Sequence, residues 1–227
     1  MSEEQTREKT ETRPEQMRRG IRRTVIICLV CIAVVIGLIV NKVTTPRVMS
    51  PAELRVNGAI VFDKPRMFDD FDLLNQQGEA FTQADLEGKW SLLYFGFTHC
   101  PDICPMAMVD LKNLYEALPQ ELAARTQVIL VSVDPARDTP EVLAEYVNYF
   151  HPSFIGVTGE FLTLRSFANQ VNVAFSKVTQ GDDYTVDHSG NIVLINPMGD
   201  YHGFFKPPFE LGKFKASFTS IDKSFNF

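Results

Sequence analysis

The sequence has no extended basic stretch beyond its first residues, no internal repeat and few cysteines. Residues 1–23 carry seven Lys or Arg against five Asp or Glu, and the remaining residues carry 15 against 23. Because proteins that bind nucleic acid present a basic patch, we expect no nucleic-acid partner. The apolar fraction of 45% and the 18 phenylalanines predict a globular core and argue against a disordered chain.

One long apolar run stands near the N-terminus. Residues 24–40 read TVIICLVCIAVVIGLIV, 17 residues without a charge, which is near the lower limit for a transmembrane helix. Arginine is more frequent before this run than after it, so the positive-inside rule predicts an N-terminus in the cytoplasm. The residues that follow, NKVTTPRVMSPAEL, offer no convincing small-x-small cleavage site. We therefore favour an uncleaved anchor over a cleavable signal peptide.

These features predict four segments along the chain. Residues 1–23 form a cytoplasmic tail, residues 24–40 a transmembrane anchor, residues 41–60 a linker, and residues 61–227 a domain outside the cytoplasm. The predicted location is the inner or cytoplasmic membrane, crossed once, with the C-terminal domain in the periplasm or another extracytoplasmic space.

The exported part alternates between strand patterns and helical patterns. Residues 91–97 (SLLYFGF) and 128–134 (VILVSVD) are nearly continuous apolar runs, typical of strands covered on both faces. The turn PMGD at 197–200 predicts a hairpin near the C-terminus. The predicted order is β-hairpin, β, α, β, α, β, α, β, β, α, which is an α/β fold with a mixed sheet flanked by helices. With a cysteine pair after the first long strand, this arrangement is thioredoxin-like, with an N-terminal hairpin added.

The four cysteines form two pairs in different surroundings. Cys28 and Cys31 lie inside the apolar run, where a thiol stays uncharged, so we interpret them as small apolar residues of a membrane helix. Cys100 and Cys104 are then the only exported cysteines. In an oxidising compartment they can pair only with each other or with a partner.

The stretch HCPDICP allows three interpretations of Cys100 and Cys104. A helix that starts near Cys104 or Pro105 brings both sulfurs close to the positive end of the helix dipole. Three intervening residues permit a disulfide if the Cα atoms lie within about 7 Å, and two thiolates also suit a soft metal ion such as copper or zinc. A structural staple is the poorest interpretation, because closing so short a loop removes little chain entropy. The redox pair and the metal clamp both stay open at this point.

A histidine could complete a metal site, but three of the four histidines are poor candidates. His99 adjoins Cys100, and neighbours on an extended chain point to opposite faces. His151 follows a predicted helix, and His202 lies in the C-terminal hairpin. We expect both of these side chains at the surface.

His188 has a different context, because it precedes an apolar strand. A thioredoxin-like fold places the loop before that strand beside the cysteine turn. Many thioredoxins carry a cis-proline in this loop, but no proline occurs between Pro152 and Pro197. The cysteines together with His188 would form a three-coordinate site with one open side.

Three segments of the chain resemble the signature segments of a known family. FGFTHCPDICP, VSVDPARDTPEVLAEY and VDHSGNIVLINPMG are similar, in that order, to those of the SCO/SenC family of membrane-anchored copper proteins. The resemblance implies a thioredoxin-like domain that holds a copper ion, as Cu(I), Cu(II) or both, on Cys100, Cys104 and His188. It also implies an extra hairpin before His188. Asp134 of the second segment either holds the histidine loop or a partner, or belongs to a turn in which Asp138 or Thr139 caps the next helix.

The resemblance also implies a function. Members of the family help to build the dinuclear copper centre of cytochrome c oxidase subunit II, by delivering copper, by reducing its cysteines, or both. It therefore implies a metallochaperone rather than a turnover enzyme. Its expected partners are cytochrome c oxidase subunit II or another copper acceptor, and an upstream copper donor or thiol reductant.

Two alternatives to the metallochaperone use cysteine chemistry. The first is a thiol–disulfide oxidoreductase, or a redox or copper sensor, in which Cys100 and Cys104 form the catalytic pair. The second is a peroxidase of the peroxiredoxin type. It is disfavoured because Leu93 and Phe97 occupy the positions of the proline and threonine that usually precede its cysteine.

Overall fold

The structure, a computed structural model, describes residues 3–44, 48–181 and 183–225. The chain divides into two compact units, one ending at Arg47 and one beginning at Val48. The N-terminal unit is a single helix, α1 (Glu3–Thr44). Its segment Met17–Val40 is 24 residues long, apolar enough to cross a membrane, and not buried by other residues. The predicted span lies within this segment, whose length and composition suit a membrane anchor and a signal sequence equally well.

The second unit is built on one eight-stranded sheet, with a two-stranded hairpin beside it. The strands, in chain order, are β1 (Ala59–Arg66), β2 (Leu73–Asn75), β3 (Ala80–Phe81), β4 (Trp90–Gly96), β5 (Thr126–Ser132), β6 (Ile155–Thr158), β7 (Phe175–Gln180), β8 (Asp183–His188), β9 (Ile192–Ile195) and β10 (Tyr201–Phe205). The large sheet has the order β1-β10-β9-β4-β5-β6-β2-β3, and β7 pairs with β8. β4, β5 and β6 run parallel, whereas β9 is antiparallel to β4. The predicted mixed sheet is confirmed.

Helices cover both faces of the large sheet. They are α2 (Pro51–Val56), α3 (Ile103–Ala117), α4 (Gln120–Ala124), α5 (Pro140–Phe150), α6 (Phe161–Gln170) and α7 (Leu211–Ser224). Residues an odd number apart on a strand point to opposite faces. Trp90 of β4 contacts Phe218 of α7 with ring centroids 5.9 Å apart, and Phe95 contacts Phe167 of α6 at 5.8 Å. Every residue of β4 and β5 is therefore buried between two layers, as their apolar runs predict.

The predicted hairpins are present. β2 and β3 form the N-terminal hairpin, and β9 and β10 form the C-terminal one. The Asn196 side chain holds the turn at 197–200, because its oxygen accepts hydrogen bonds from the N–H groups of Met198 and Asp200 at 2.9 and 3.0 Å. The helix predicted after VDPARDT is α5, which begins at Pro140 with Thr139 as its N-cap.

The start of the second unit is more ordered than the sequence patterns indicate. The predicted linker 41–60 contains α2, which begins with a capping box between Ser50 and Glu53 and buries Leu54. β1 follows and was not predicted, because AIVFDKPR combines charges with a proline. That sequence is compatible with β1 because this strand lies at the sheet edge, where a proline removes no ladder hydrogen bond. Residues 45–47 of the linker lie outside the described residues.

Candidate metal centre

Cys100 and Cys104 lie where β4 leads into α3. Residues 97–102 form an irregular turn, and α3 begins at Ile103, within two residues of the predicted start. Cys104 therefore lies in the first turn of the helix. Pro105 is tolerated there because N–H groups of the first turn have no acceptor within the helix. The Cys104 N–H donates to Cys100 Sγ at 3.4 Å, which holds the first sulfur over the start of the helix.

His188 reaches the cysteines from the β7–β8 hairpin, of which it is the last residue. Its Nε2 lies 3.3 Å from Cys104 Sγ. The Sγ atoms of Cys100 and Cys104 and a ring nitrogen of His188 all lie within 4.8 Å of one another. The Ser189 carbonyl oxygen is 3.2 Å from His188 Nδ1, so Nδ1 donates its hydrogen there and Nε2 presents a lone pair to the sulfurs. The structure thus brings together the three residues that the family resemblance implies.

Burial sets the protonation of two of these groups. Burial lowers the pKa of His188, although the Ser189 carbonyl opposes this shift, so the imidazole is neutral at pH 7 and able to bind a metal. Burial raises the pKa of Cys104, and the neighbouring Cys100 thiol acts in the same direction. Cys104 is therefore a protonated thiol at pH 7, and it must lose this proton for its thiolate to bind a metal.

Aromatic rings enclose one side of the site. Tyr94 and Phe97 stand edge-on to the His188 imidazole, with ring centroids 5.9 and 6.0 Å away. Burial and the adjacent Cys104 raise the pKa of Tyr94, so its hydroxyl stays protonated. Cys104 is buried, but Cys100 and His188 are only half-buried. A partner can therefore reach the site past Cys100 and His188.

A buried carboxylate holds the cysteine turn in place. Asp138 lies in the loop between β5 and α5 and is fully buried. It accepts hydrogen bonds from the Thr98 hydroxyl at 2.6 Å, from the Ser132 hydroxyl at 2.7 Å and from the Thr98 N–H at 3.2 Å. Thr98 is two residues before Cys100, so Asp138 positions the turn that carries the first thiol. The sequence offered Asp138 only as a possible helix cap, and Thr139 has that role instead.

Asp134, in the same loop, contacts the histidine hairpin. Its carboxylate accepts a hydrogen bond from the Tyr184 hydroxyl at 2.9 Å, and Tyr184 lies four residues before His188 on β8. The structure thus supports both interpretations of this segment, since Asp134 contacts the hairpin and Thr139 caps α5. Tyr184 was not singled out from the sequence. Strand alternation could have identified Tyr184 from the sequence, because it places Tyr184 and His188 on the same face of β8.

The other three histidines do not join the cluster. His99 is exposed and its Nδ1 lies 3.0 Å from the Thr98 hydroxyl. His151, which was expected at the surface, is half-buried in the loop after α5, where its ring packs against Tyr115 with centroids 5.0 Å apart. The prediction that His202 faces solvent is wrong. His202 is half-buried and its ring packs against Trp90, with centroids 5.3 Å apart. The reason is that β10 is an interior strand and His202 points to the face that α7 covers.

The ligand set limits the choice of metal. Two thiolates and a neutral imidazole favour copper or zinc over magnesium or calcium. Structural zinc sites are closed by four ligands, but no fourth His, Cys, Asp or Glu joins this cluster in the described part of the chain. Three ligands with an open side suit a metal that is passed to a partner. The residues present therefore fit a copper ion.

Comparison with known proteins agrees with this geometry. The sequence profile of the family described as SCO1/SenC matches residues 62–220. The chain belongs to the SCO1/SenC family. This SCO1/SenC chain is 36% identical over 193 residues to the SCO2-like protein of Rickettsia prowazekii (strain Madrid E), and the match covers 84% of the chain and 92% of that protein.

Two solved structures share the thioredoxin-like fold of this SCO1/SenC chain. The crystal structure of Arabidopsis thaliana ScoI with copper bound has 34% identity and a TM-score of 0.64, covering 68% of this chain and 98% of that one. The crystal structure of yeast Sco1 with copper bound has 34% identity and a TM-score of 0.65, covering 71% and 91%. The hairpin before His188 is present, as the family resemblance implies.

The loop that follows His188 has no cis-proline, as the absence of proline between Pro152 and Pro197 predicts. The cis peptide bond of the described chain is Pro207–Pro208.

Proposed function

We propose that this SCO1/SenC protein is a copper metallochaperone that carries copper on Cys100, Cys104 and His188. The observation behind the proposal is that three ligand atoms converge to within 4.8 Å, although Cys104 and His188 are 84 residues apart in sequence. The similar structures from Arabidopsis thaliana and yeast have copper bound, which favours copper over zinc for the same ligand types.

The acceptor in this proposal is the dinuclear copper centre of cytochrome c oxidase subunit II, which rests on the family resemblance. The open side of the site supports delivery over storage. An acceptor ligand can approach past the half-buried Cys100 and His188 while the buried Cys104 still holds the metal. Such shared coordination lets the ion move without ever being released to water.

The proposed location is the outer side of the cytoplasmic or inner membrane. The apolar segment Met17–Val40 of α1 is the anchor in this proposal. Four arginines lie just before residue 24, which supports an N-terminus in the cytoplasm and a C-terminal domain on the opposite side. The tether keeps the copper site close to membrane-bound targets.

A second candidate function is the reduction of a disulfide in the target, and the unequal exposure of the two cysteines favours it. Cys100 and Cys104 are both free, and Cys100 is the more exposed. Cys100 Sγ attacks the target disulfide and forms a mixed disulfide, which Cys104 Sγ then resolves. The target gains two electrons and two protons and leaves as a dithiol, while the chain keeps a Cys100–Cys104 disulfide. A thiol reductant must then restore the pair.

Copper titration of the full chain in detergent tests the leading proposal. The parent protein carries Cys28→Ser and Cys31→Ser, which removes the second thiol pair. Cu(I) and Cu(II) affinities are measured by competition with chelators for the reduced parent, the oxidised parent and His188→Ala. His99→Ala is the matched control, because His99 adjoins Cys100 but lies outside the cluster.

We expect one tightly bound copper ion in the reduced parent and in His99→Ala, and loss of tight binding in His188→Ala. The oxidised parent should bind no copper, because a disulfide has no thiolate to offer. Wild-type copper binding by His188→Ala would contradict the three-ligand site. Stoichiometric copper in the oxidised parent would contradict thiol-dependent loading. For the second candidate, the reduced parent should reduce the oxidised copper-binding domain of subunit II, and Cys100→Ser should not.

A further inference from the structure

We propose that Arg137 and Tyr184 form a clamp that positions His188 against the two thiols and thereby controls affinity for Cu(II) more than for Cu(I). The clamp joins the loop after β5 to the hairpin that carries the imidazole. The inference rests on the proposed function, because copper is the metal that the positioned histidine binds. Its structural part concerns residues outside the ligand set and can be tested without metal.

The first step concerns how the hairpin is attached. β7 and β8 pair with each other in their own two-stranded sheet. No backbone ladder among the described residues ties this hairpin to the eight-stranded sheet. The position of β8 therefore depends on the chain connections at the base of the hairpin, where Ile192 of β9 follows four residues after His188, and on the side chains that link the hairpin to the rest of the domain.

The second step concerns which face of β8 makes these links. Strand alternation puts Tyr184, Val186 and His188 on one face. Val186 is buried and Tyr184 is half-buried, whereas Asp187 between Val186 and His188 is exposed. Tyr184 and His188 are separated by about 13 Å along the strand. A link at Tyr184 therefore sets the direction in which β8 approaches the cysteines.

The third step concerns the clamp itself. The guanidinium carbon of Arg137 lies 3.9 Å from the centroid of the Tyr184 ring, a cation–π contact. Arg137 Nε donates to the Asp134 carboxylate, which also accepts the Tyr184 hydroxyl at 2.9 Å. Arg137 Nη1 reaches Asp183 Oδ1 at 3.5 Å. Arg137 thus contacts the hairpin at two successive residues while it is bonded to its own loop.

The fourth step is that one loop positions both parts of the site. Asp138, the neighbour of Arg137, holds Thr98 of the cysteine turn. The spacing between the thiols and the imidazole is therefore set by adjacent residues of one short segment. If the Arg137 contacts are lost, the hairpin loses its link to this segment. The cysteine turn loses only the contact between the guanidinium and the Phe97 ring, at 5.8 Å, and keeps its hydrogen bonds to Asp138.

The dependence on oxidation state follows from ligand chemistry. Thiolates are soft ligands that select Cu(I). Cu(II) prefers nitrogen ligands and binds a larger number of ligands than Cu(I) does. A displaced imidazole therefore costs Cu(II) binding more than Cu(I) binding. Loss of an outer group that hydrogen-bonds a metal-binding histidine typically lowers metal affinity about 10- to 100-fold, and Arg137, which acts on His188 through the hairpin, should lie at the lower end of this range.

The test uses the full-length parent with Cys28→Ser and Cys31→Ser, in detergent. The variants are Arg137→Gln and Tyr184→Phe, of which the second keeps the ring and loses only the hydroxyl. The matched control is Lys177→Gln. Lys177 Nζ lies 3.2 Å from the Tyr184 ring centroid, but Lys177 belongs to β7, so its contact stays within the hairpin. Competition titrations with Cu(II) and Cu(I), and hydrogen exchange of the β7–β8 amides in metal-free protein, are the readouts.

We expect Arg137→Gln to weaken Cu(II) binding about 10-fold or more, to change Cu(I) binding less, and to speed hairpin amide exchange. Tyr184→Phe should weaken Cu(II) binding and speed hairpin exchange by smaller factors. Lys177→Gln should have the copper affinities and exchange rates of the parent. Equal losses for Cu(I) and Cu(II), or a Lys177→Gln effect as large as that of Arg137→Gln, would overturn the clamp. If the parent binds no copper, the proposed function fails, and the exchange data still decide the clamp. Unchanged hairpin exchange in both clamp variants would then refute it.

Discussion

Gly96, the last residue of β4, offers the sharpest test of how closely the sheet packs against the copper site. A Cβ atom at this position would lie 2.9 Å from Tyr94 Cε1, 3.1 Å from Cys104 Sγ and 3.3 Å from Leu130 Cδ1. All three distances are shorter than comfortable van der Waals contact. Gly96→Ala therefore forces the buried Cys104 sulfur, the Tyr94 ring, or both to move.

The size of the effect follows from two opposing contributions. Overpacking a buried site costs about 1–3 kcal/mol, and replacing glycine by alanine restores about 0.4–1 kcal/mol by restricting the unfolded chain. We therefore expect the free energy of unfolding to fall by about 1–2 kcal/mol. For a domain of this size that is a decrease in melting temperature of about 2–8 °C.

Gly156→Ala is the matched control, because its Cβ would lie 2.9 Å from Leu143 Cβ at the contact between β6 and α5. Both variants should melt lower than the parent in thermal unfolding followed by circular dichroism. Only Gly96→Ala should also weaken copper binding, since only its Cβ meets a ligand sulfur. A Gly96→Ala protein with parental stability and copper affinity would refute the close-packing argument, and so would an equal copper defect in Gly156→Ala.

Two further variants test other parts of the domain. The Asp138 carboxylate accepts three hydrogen bonds, and in Asp138→Asn the amide N–H group would face one of these donors. Urea unfolding should therefore show a free energy of unfolding lower by about 2–4 kcal/mol. Asp102→Asn, at a helix cap without a side-chain hydrogen bond, is the control, and an equal loss there would contradict the role of Asp138. Burial lowers the pKa of His202 against the opposing charge of Asp200, so the unfolded state binds more protons and stability falls as pH drops below about 6.5. The measurement is melting temperature as a function of pH in a His188→Ala background. His202→Gln should reduce the decrease in melting temperature below about pH 6.5, and an unchanged decrease would show that His202 is not its source.

Local patterns predicted the elements that surround the cysteines. β4 and β5 are continuous apolar runs, and the start of α3 was placed within two residues of Ile103, because helix starts and buried strands depend on residues close together in sequence. β1 was missed for the opposite reason. Its sequence contains charges and a proline, and only its place at the sheet edge beside β10 makes it a strand.

His202 shows that burial of a side chain has the same limit: local sequence does not predict it. Its sequence neighbours, Tyr201 and Gly203, gave no sign of burial, and the expected solvent exposure was wrong. The covering residues, Trp90 and Phe225, are distant in sequence and contact the imidazole ring at 5.3 and 5.6 Å between centroids. A residue on a strand is buried when another layer of the fold covers the face to which its side chain points. The periodicity of the strand sequence does not show whether such a layer is present.

The sequence by itself determined the anchor candidate, the cysteine turn and the three proposed ligands, because signature segments and short-range spacing carry these features. Only the tertiary structure decided that the His188 imidazole meets the Cys104 sulfur at 3.3 Å. It also decided that Asp138 holds the cysteine turn while Arg137 and Tyr184 hold the hairpin. These contacts join segments separated by 40 to 84 residues, and such distances close only when the sheet brings the ends of β4, β5 and the hairpin to one place.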